Sequence, residues 1–199
     1  MSAVVIIDNG GGNVASVCYA LARLGVQARV SVDPQVVQGA THVILPGVGA
    51  AGEAMQRLRA SGLDQLIPQL RQPVLGICLG MQLLYESSAE GDTACLGILK
   101  GRVTRLVGGA GLRVPHMGWS RLVPTRPAAL LEGLGVDAYA YFVHSFAVAV
   151  GEDTDACADH GGPFTAVVSR DNFHGAQCHP ERSAATGARL LQNFLALGG

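Results

Sequence analysis

Short apolar runs alternate with amphipathic stretches through the first half of the chain. The apolar runs predict strands, and the stretches between them have the spacing of helices. The predicted strands cover residues 3–7, 27–32, 42–45 and 74–77, and the predicted helices cover 13–24, 53–59, 63–70 and 79–86. Because these strands are apolar throughout, both of their faces should be buried, as in a parallel sheet with helices on both faces.

From about Thr93 onward the pattern favours strands joined by turns. Strands are predicted at 95–106, 113–116, 121–123, 139–144, 164–169 and 175–179. Ser183 is predicted to cap a last helix, whose apolar face is formed by Leu190, Leu191, Phe194 and Leu195. No linker rich in proline or serine interrupts the chain. We therefore expect one α/β domain over residues 1–199, with a mostly parallel sheet and a more antiparallel second half.

Composition and charge exclude several classes of protein. The 199 residues include 14 Lys+Arg and 15 Asp+Glu, so the net charge is −1, without the basic excess of a nucleic-acid binder. Hydrophobic residues make up 49% of the chain, which excludes a disordered protein. The longest apolar stretch, residues 73–84, is too short to cross a bilayer, so no membrane association is expected.

The five cysteines indicate a reducing compartment. They are odd in number, widely spaced and without a C-x-x-C pair, which argues against a disulfide scaffold or a zinc site. The N-terminus has no basic region before its apolar run, so no secretory signal is predicted. A cytoplasmic location is the expectation.

The segment 76–80 has the sequence G-x-C-x-G at a predicted strand-to-helix turn. This is the arrangement of a nucleophile elbow, with Cys78 in the place of serine. Small residues suit the crowded positions on either side, and a helix N-terminus favours the thiolate. Cys78 is therefore the predicted nucleophile, and the other four cysteines are interpreted as structural.

His179 is the predicted base, because among the six histidines it alone has a carboxylate two residues further on, in His179-Pro180-Glu181. In extended chain this spacing places both side chains on one side, so Glu181 can orient the imidazole. The tripeptide follows a predicted strand and precedes a helix, as a site at the end of a strand requires.

Two glycine-rich loops follow predicted strands. The loop 46–49, Pro-Gly-Val-Gly, can present a backbone N–H that, with the N–H of Leu79, would form an oxyanion hole, although by itself the loop has the sequence of an ordinary turn. The loop Gly10-Gly11-Gly12 satisfies G-x-G-x-x-[GA], with Asp33 about 20 residues further on, and supports a competing hypothesis of a dinucleotide-binding protein.

Three blocks resemble class I glutamine amidotransferases. They are residues 44–49 (ILPGVG), 76–84 (GICLGMQLL) and 179–183 (HPERS). Residues 115–119 (PHMGW) and 142–145 (FVHS) narrow the resemblance to the branch of glutaminase subunits of imidazole glycerol phosphate synthases, enzymes of histidine biosynthesis. The resemblance extends from Ile6 to the last helix.

This resemblance implies a flavodoxin-like fold, a Cys78–His179–Glu181 triad and oxyanion N–H groups from Val48 and Leu79. It implies that glutamine is held by Gly47, Gly49, Gln82, Glu90, Ser145 and Phe146. It also implies that ammonia passes to a (β/α)₈-barrel cyclase subunit in a heterodimer, across a face that includes Asn13, Met117, Trp119, Tyr141 and Arg182. Neither a cofactor nor a metal is implied. The sequence departs from the usual family pattern at Asn9, Ser120, Phe146 and Cys178.

The family uses the first glycine loop without a nucleotide, so the resemblance disfavours the dinucleotide hypothesis. Two other hypotheses are a class I amidotransferase subunit with a different acceptor and a binding subunit that has kept the fold without activity. The intact triad argues against the second of these. Release of glutamate from glutamine would distinguish an enzyme from a binding subunit, and NADH binding would test the dinucleotide hypothesis.

Overall fold

A computed structural model describes residues 3–10, 13–109 and 111–198. The strands in these residues are β1 (Val4–Ile7), β2 (Ala28–Ser31), β3 (His42–Gly47), β4 (Val74–Cys78), β5 (Tyr85–Ser88), β6 (Thr93–Ala94), β7 (Leu99–Arg105), β8 (His116–Arg121), β9 (Val123–Pro124), β10 (Tyr139–His144), β11 (Phe146–Ala147), β12 (Thr154–Asp159), β13 (Pro163–Arg170) and β14 (Phe173–Ala176). The α-helices are α1 (Val14–Arg23), α2 (Pro34–Gln38), α3 (Ala51–Ala60), α4 (Leu63–Leu66), α5 (Leu79–Leu83) and α6 (Ala184–Ala196). Short 3₁₀ turns include Ile67–Gln69 and Pro180–Arg182.

The main sheet has the strand order β2-β1-β3-β4-β14-β13-β12-β9. The five strands from β2 to β14 pair in parallel, and the remaining pairs are antiparallel. The predicted α/β fold, with a mostly parallel sheet and a more antiparallel second half, is therefore confirmed.

Helices cover both faces of the main sheet. Successive side chains of a strand point to opposite faces, and in β1 Val4 and Ile6 belong to one hydrophobic core while Val5 and Ile7 belong to the other. The first core is shared with α1 and α6, and the second with α2, α3 and α4. This explains why every residue of β1, β3 and β4 is buried, whereas the residues of the edge strand β2 are half-buried or exposed.

Two smaller sheets lie outside the main one. The four-stranded sheet has the order β11-β7-β5-β6, and β8 and β10 form an antiparallel pair in which Trp119 is opposite Tyr141. The end of β10 and the residues that follow it, up to Phe146, line the site described below.

Several predicted elements are wrong in detail. The helix predicted over 79–86 ends at Leu83 and is followed by strand β5, and β12 was not predicted. The predicted strands at 113–116 and 121–123 are replaced by β8 and β9, and those at 95–106 and 175–179 by the shorter or displaced strands β7 and β14. Ser183 precedes α6 but does not cap it, because its hydroxyl donates to the His179 carbonyl at 2.7 Å and accepts from the Tyr141 N–H at 2.9 Å.

Candidate active site

Cys78 occupies a sharp turn between β4 and α5. Its backbone has φ 53° and ψ −110°, a conformation that side-chain-bearing residues rarely adopt. A Cβ at Gly76 would lie 2.6 Å from the Met81 nitrogen, and a Cβ at Gly80 would collide with the Leu45 carbonyl oxygen. Glycine is thus required on both sides of Cys78, and the predicted strand-to-helix turn is confirmed.

The strand order brings three distant segments to one edge of the sheet. β3, β4 and β14 are parallel neighbours, with Gly47 opposite Cys78 and Gly175 opposite Gly76. Because the carboxyl ends of parallel strands meet at the same edge, the loop after β3, the elbow after β4 and His179 after β14 lie together. Topology therefore brings together residues that are about 100 positions apart in the chain.

His179 is held by Glu181. The imidazole Nδ1 lies 2.8 Å from Glu181 Oε1, and the side chains are 8% and 0% exposed. Asn13 Nδ2 donates to the same carboxylate oxygen at 3.4 Å. Burial alone would lower the pKa of His179, but Cys78 and Glu181 outweigh it and raise this pKa to about 10. The site therefore favours an imidazolium on His179 at neutral pH.

Cys78 and His179 open into one cavity of about 340 Å³, a size that suits a small ligand. Seven other predicted site residues also line it: Val48, Gly49, Leu79, Gln82, Glu90, Ser145 and Phe146. Gly47 does not line the cavity and instead packs against Leu79 and Gly80. Pro115, Val143 and His144 line the cavity and were not predicted to do so, although they lie in or next to the two blocks of the narrower resemblance.

Two of the predicted glutamine-binding side chains also have partners within the protein. Gln82 is buried, and its Nε2 donates to the Phe146 carbonyl at 2.8 Å and to Gln177 Oε1 at 2.9 Å. Glu90 Oε2 accepts from the Ala51 N–H at 2.8 Å, at the start of α3. These contacts fix both side chains at the wall of the cavity before any ligand binds.

A chain of hydrogen bonds supports the same wall from behind. His144 Nδ1 lies 2.8 Å from the Phe146 carbonyl, His116 Nδ1 lies 3.1 Å from His144 Nε2, and Ser120 Oγ lies 3.1 Å from His116 Nε2. Burial lowers the pKa of both histidines to about 4, so both are neutral at pH 7. Since the carbonyl can only accept, each histidine donates through Nδ1, and Ser120 donates to His116.

Most of the predicted partner-facing residues are accessible. Met117 and Trp119 are 64% and 52% exposed, and Arg182 is also exposed. Tyr141 is half-buried and meets Trp119 edge to face, with ring centroids 5.8 Å apart. Asn13 differs from these, because it is buried against Glu181. The candidate face therefore begins directly behind the His179–Glu181 pair.

The dinucleotide fingerprint falls partly outside the described residues, since Gly11 and Gly12 are not among them. Asp33, its predicted acidic residue, caps α2 by accepting from the Gln35 N–H at 2.9 Å. In the part of the chain that the structure describes, no group of three His, Cys, Asp or Glu side chains is arranged to hold a metal ion. None of the helices described is long and apolar enough to span a membrane.

The departures from the family pattern leave the His179–Glu181 pair intact. Cys178 is completely buried, and burial raises the pKa of its thiol. It is therefore a protonated core residue at neutral pH. Asn9 is also buried, and its carbonyl accepts from Arg57 Nη1 at 3.2 Å.

Comparisons with known proteins agree with this geometry. Residues 5–197 match the family described as glutamine amidotransferase class-I. The chain is 60% identical over 195 residues to the imidazole glycerol phosphate synthase subunit HisH of Xanthomonas campestris pv. campestris (strain 8004), with 98% of both chains covered. It is 55% identical over 195 residues to the protein of the same name from Xylella fastidiosa (strain Temecula1 / ATCC 700964), again with 98% of both covered.

Two solved structures share the fold. A crystal structure of a glutamine amidotransferase superposes with a TM-score of 0.75 at 23% identity and covers 96% of both chains. The structure of PurLQS from Thermotoga maritima superposes with a TM-score of 0.74 at 18% identity and covers 98% of both chains.

Proposed function

The chain belongs to the class-I glutamine amidotransferase family, and from this premise we propose that it is the glutaminase subunit of an imidazole glycerol phosphate synthase. One observation supports this chemistry: the elbow cysteine, Cys78, and the His179–Glu181 pair lie at the same cavity. The 60% identity to subunits named for that synthase supports the choice of acceptor reaction. We further propose that residues 1–199 form one domain and that the protein works in the cytoplasm.

In the proposed reaction, the Cys78 thiolate attacks the side-chain carbonyl carbon of glutamine. The negative charge that develops on the carbonyl oxygen is stabilised by the N–H groups of Val48 and Leu79. His179, as the imidazolium, gives its proton to the departing nitrogen, so ammonia leaves and a thioester remains. His179, now neutral, takes a proton from water as the water attacks the thioester. Glutamate is released and the thiolate–imidazolium pair is restored.

Glu181 orients His179 and stabilises its positive charge. Its carboxylate is fully buried and accepts from both His179 and Asn13 at the same oxygen, Oε1. A carboxylate in this position holds the tautomer with the proton on Nδ1, which leaves Nε2 to exchange protons with the substrate.

The substrate's amino-acid end is proposed to lie against Gly47, Gly49, Gln82, Glu90, Ser145 and Phe146. Apart from Gly47, these residues line the cavity beside Cys78. The carboxylate of Glu90 suits an α-ammonium group, and backbone N–H groups near Ser145 and Phe146 would suit an α-carboxylate. Gly47 contributes by keeping the Val48 loop close to Leu79.

The partner is proposed to be a (β/α)₈-barrel cyclase subunit in a heterodimer. Exposed aromatic and thioether side chains are typical anchors of protein interfaces, and Trp119 and Met117 project from the same strand. A hollow of about 490 Å³ bordered by Trp119, Glu181 and Arg182 lies beside them. The cyclase would join ammonia to a phosphoribulosyl-formimino aminoimidazole carboxamide nucleotide, forming imidazole glycerol phosphate and aminoimidazole carboxamide ribonucleotide.

Co-purification with a cyclase subunit, followed by two assays of the complex, tests the proposal. We expect Cys78→Ala to abolish synthesis from glutamine while leaving synthesis from added ammonia nearly intact, because the acceptor chemistry belongs to the partner. Glutamine-dependent synthesis by the Cys78→Ala complex would exclude Cys78 as the nucleophile. If the chain formed no complex with the cyclase, we would conclude that its ammonia goes to a different acceptor.

A further inference from the structure

Gln177 is fully buried and lies directly beside the reacting sulfur. Its Nε2 is 3.7 Å from Cys78 Sγ, within hydrogen-bond range for sulfur, and its Oε1 is 2.9 Å from Gln82 Nε2. The mechanism above does not use this side chain. A buried amide placed between a nucleophile and the wall of a substrate cavity calls for an explanation.

The orientation of the Gln177 amide follows from a backbone carbonyl. The Phe146 carbonyl can only accept, so the Gln82 amide presents Nε2 to it, at 2.8 Å. The same Nε2 faces Gln177, which must therefore present its oxygen. That leaves the Gln177 NH₂ group to face the sulfur. The reverse orientation would place two NH₂ groups against each other.

The carbonyl that begins this chain is itself held in place. His144 Nδ1 donates to the Phe146 oxygen at 2.8 Å, so this oxygen accepts from both His144 and Gln82. The sulfur at the other end lies 3.8 Å from the Val143 carbonyl, to which a thiol can donate. On ionisation the sulfur loses that bond and faces a carbonyl dipole, whereas the N–H from Gln177 becomes a charge-assisted bond.

We propose that Gln177 is a further catalytic residue, which donates a hydrogen bond to the Cys78 thiolate and is oriented for this by Gln82 and the Phe146 carbonyl. The inference rests on the proposed function in one respect, the assignment of Cys78 as the nucleophile. The thiolate is then stabilised by two groups, the imidazolium of His179 and the NH₂ group of Gln177. The second of these belongs to the protein interior and has a fixed direction.

Loss of this donor has two opposing effects on sulfur reactivity. A hydrogen bond to a charged group is worth about one pKa unit or more, so Gln177→Met should shift the ionisation of Cys78 upward by about one pH unit. A more basic thiolate is also a better nucleophile, by about threefold for one pKa unit. The variant should therefore react about threefold more slowly than wild type at low pH and about threefold faster on the alkaline plateau.

The test is the pH dependence of alkylation of Cys78 by iodoacetamide, measured on the Cys78 peptide by mass spectrometry in the full-length chain. We expect the profiles of Gln177→Met and wild type to cross. Thr165→Val is the matched control, because Thr165 is also a buried polar residue on a neighbouring strand and lies outside the cavity lining. Its profile should overlay that of wild type. A Gln177→Met profile that overlays wild type, or lies below it at every pH, would overturn the proposal.

A measurement on the wild-type chain covers the case in which Gln177→Met fails to fold. The side-chain NH₂ resonances of Gln177 in a ¹⁵N-labelled sample should move with pH as Cys78 ionises, and they should stay still in Cys78→Ala. Resonances that do not move as Cys78 ionises would overturn the inference. Neither experiment requires the partner, so an unshifted result beside normal Cys78-dependent glutamate release would overturn the role of Gln177 alone. Glutamate release that persisted in Cys78→Ala would instead overturn the proposed function.

Discussion

Gly80 lies directly against the carbonyl oxygen of Leu45, with no space for a Cβ between them. The contact joins the first turn of α5 to the neighbouring strand β3, and it sets how closely the loop after β3 approaches Cys78. Gly80, two residues after the nucleophile, is therefore required by the packing of the elbow.

Gly80→Ala should destabilise the fold and displace the elbow. The new methyl group would collide with the Leu45 carbonyl, which is backbone and cannot rotate away as a side chain could. We therefore expect a loss of about 1–3 kcal/mol in the free energy of unfolding. Urea denaturation measures it. Gly135→Ala is the control, because Gly135 is exposed and has no atom within 4 Å of the place that a methyl group would occupy. Equal stability of the two variants would contradict the steric argument.

The orienting role of Glu181 predicts a graded loss of glutaminase activity. In Glu181→Gln the amide oxygen can still accept from His179 Nδ1, but the charge that raises the pKa of His179 is lost. We expect the rate of thioester formation to fall about 10- to 100-fold, and to fall further in His179→Ala, which removes the acid and base altogether. Single-turnover experiments with the partner bound measure both. A wild-type rate for Glu181→Gln would exclude the carboxylate from the triad.

The sequence was most informative where burial is uniform. Strands β1, β3 and β4 are buried at every position because helices cover both faces of the sheet, and they were predicted within one or two residues at either end. Strand β12 was missed because its polar residues break the apolar pattern. One of them, Asp155, is fully buried and paired with Arg126 at 2.7 Å, a partner 29 positions away that no local pattern reveals.

The site was predictable to a similar degree. The glycines around Cys78 and the His179–Glu181 spacing are local features, and the structure brings them together at the cavity. Gln177 was missed because its orientation depends on Gln82, 95 positions away in sequence. The tautomer of His116 likewise depends on His144, 28 positions away in sequence. Contacts of this kind become visible only once the fold has placed the strands.

Three buried histidines lead us to predict a loss of stability in mild acid. Burial lowers the pKa of His116, His144 and His174 to about 4, below the value of about 6.5 in the unfolded chain. From pH 6.5 down to 4 the unfolded state takes up protons that the folded state does not, so the free energy of unfolding should fall by about 1 kcal/mol per pH unit for each. His179, with its raised pKa, contributes stability that is constant in this range and is lost only as the pH rises from 6.5 towards 10.

Urea titrations at pH 7 and pH 5 measure this dependence. His174→Gln should reduce the difference between the two pH values by about a third, because it removes one of the three proton sites. An unchanged difference in His174→Gln would show that another group causes the acid lability.

From the glycines in the loop after β3 we predict that the partner switches on glutamine hydrolysis. Uncoupled hydrolysis would waste glutamine, so the isolated chain should release glutamate slowly. A loop that turns one oxyanion N–H away from the site would account for this, because one missing oxyanion donor lowers kcat by about 10²–10³. Gly47 is packed against Leu79 and Gly80, whereas Gly49 has open space around it and a φ of +93° that proline cannot adopt. Gly49→Pro should therefore hold the loop away from its present form and reduce the stimulation of glutamine hydrolysis by the partner, while leaving complex formation intact.

Steady-state glutamate release is measured for the chain alone, with the cyclase, and with cyclase plus acceptor nucleotide. Equal wild-type rates in all three conditions would show that the loop does not act as a switch.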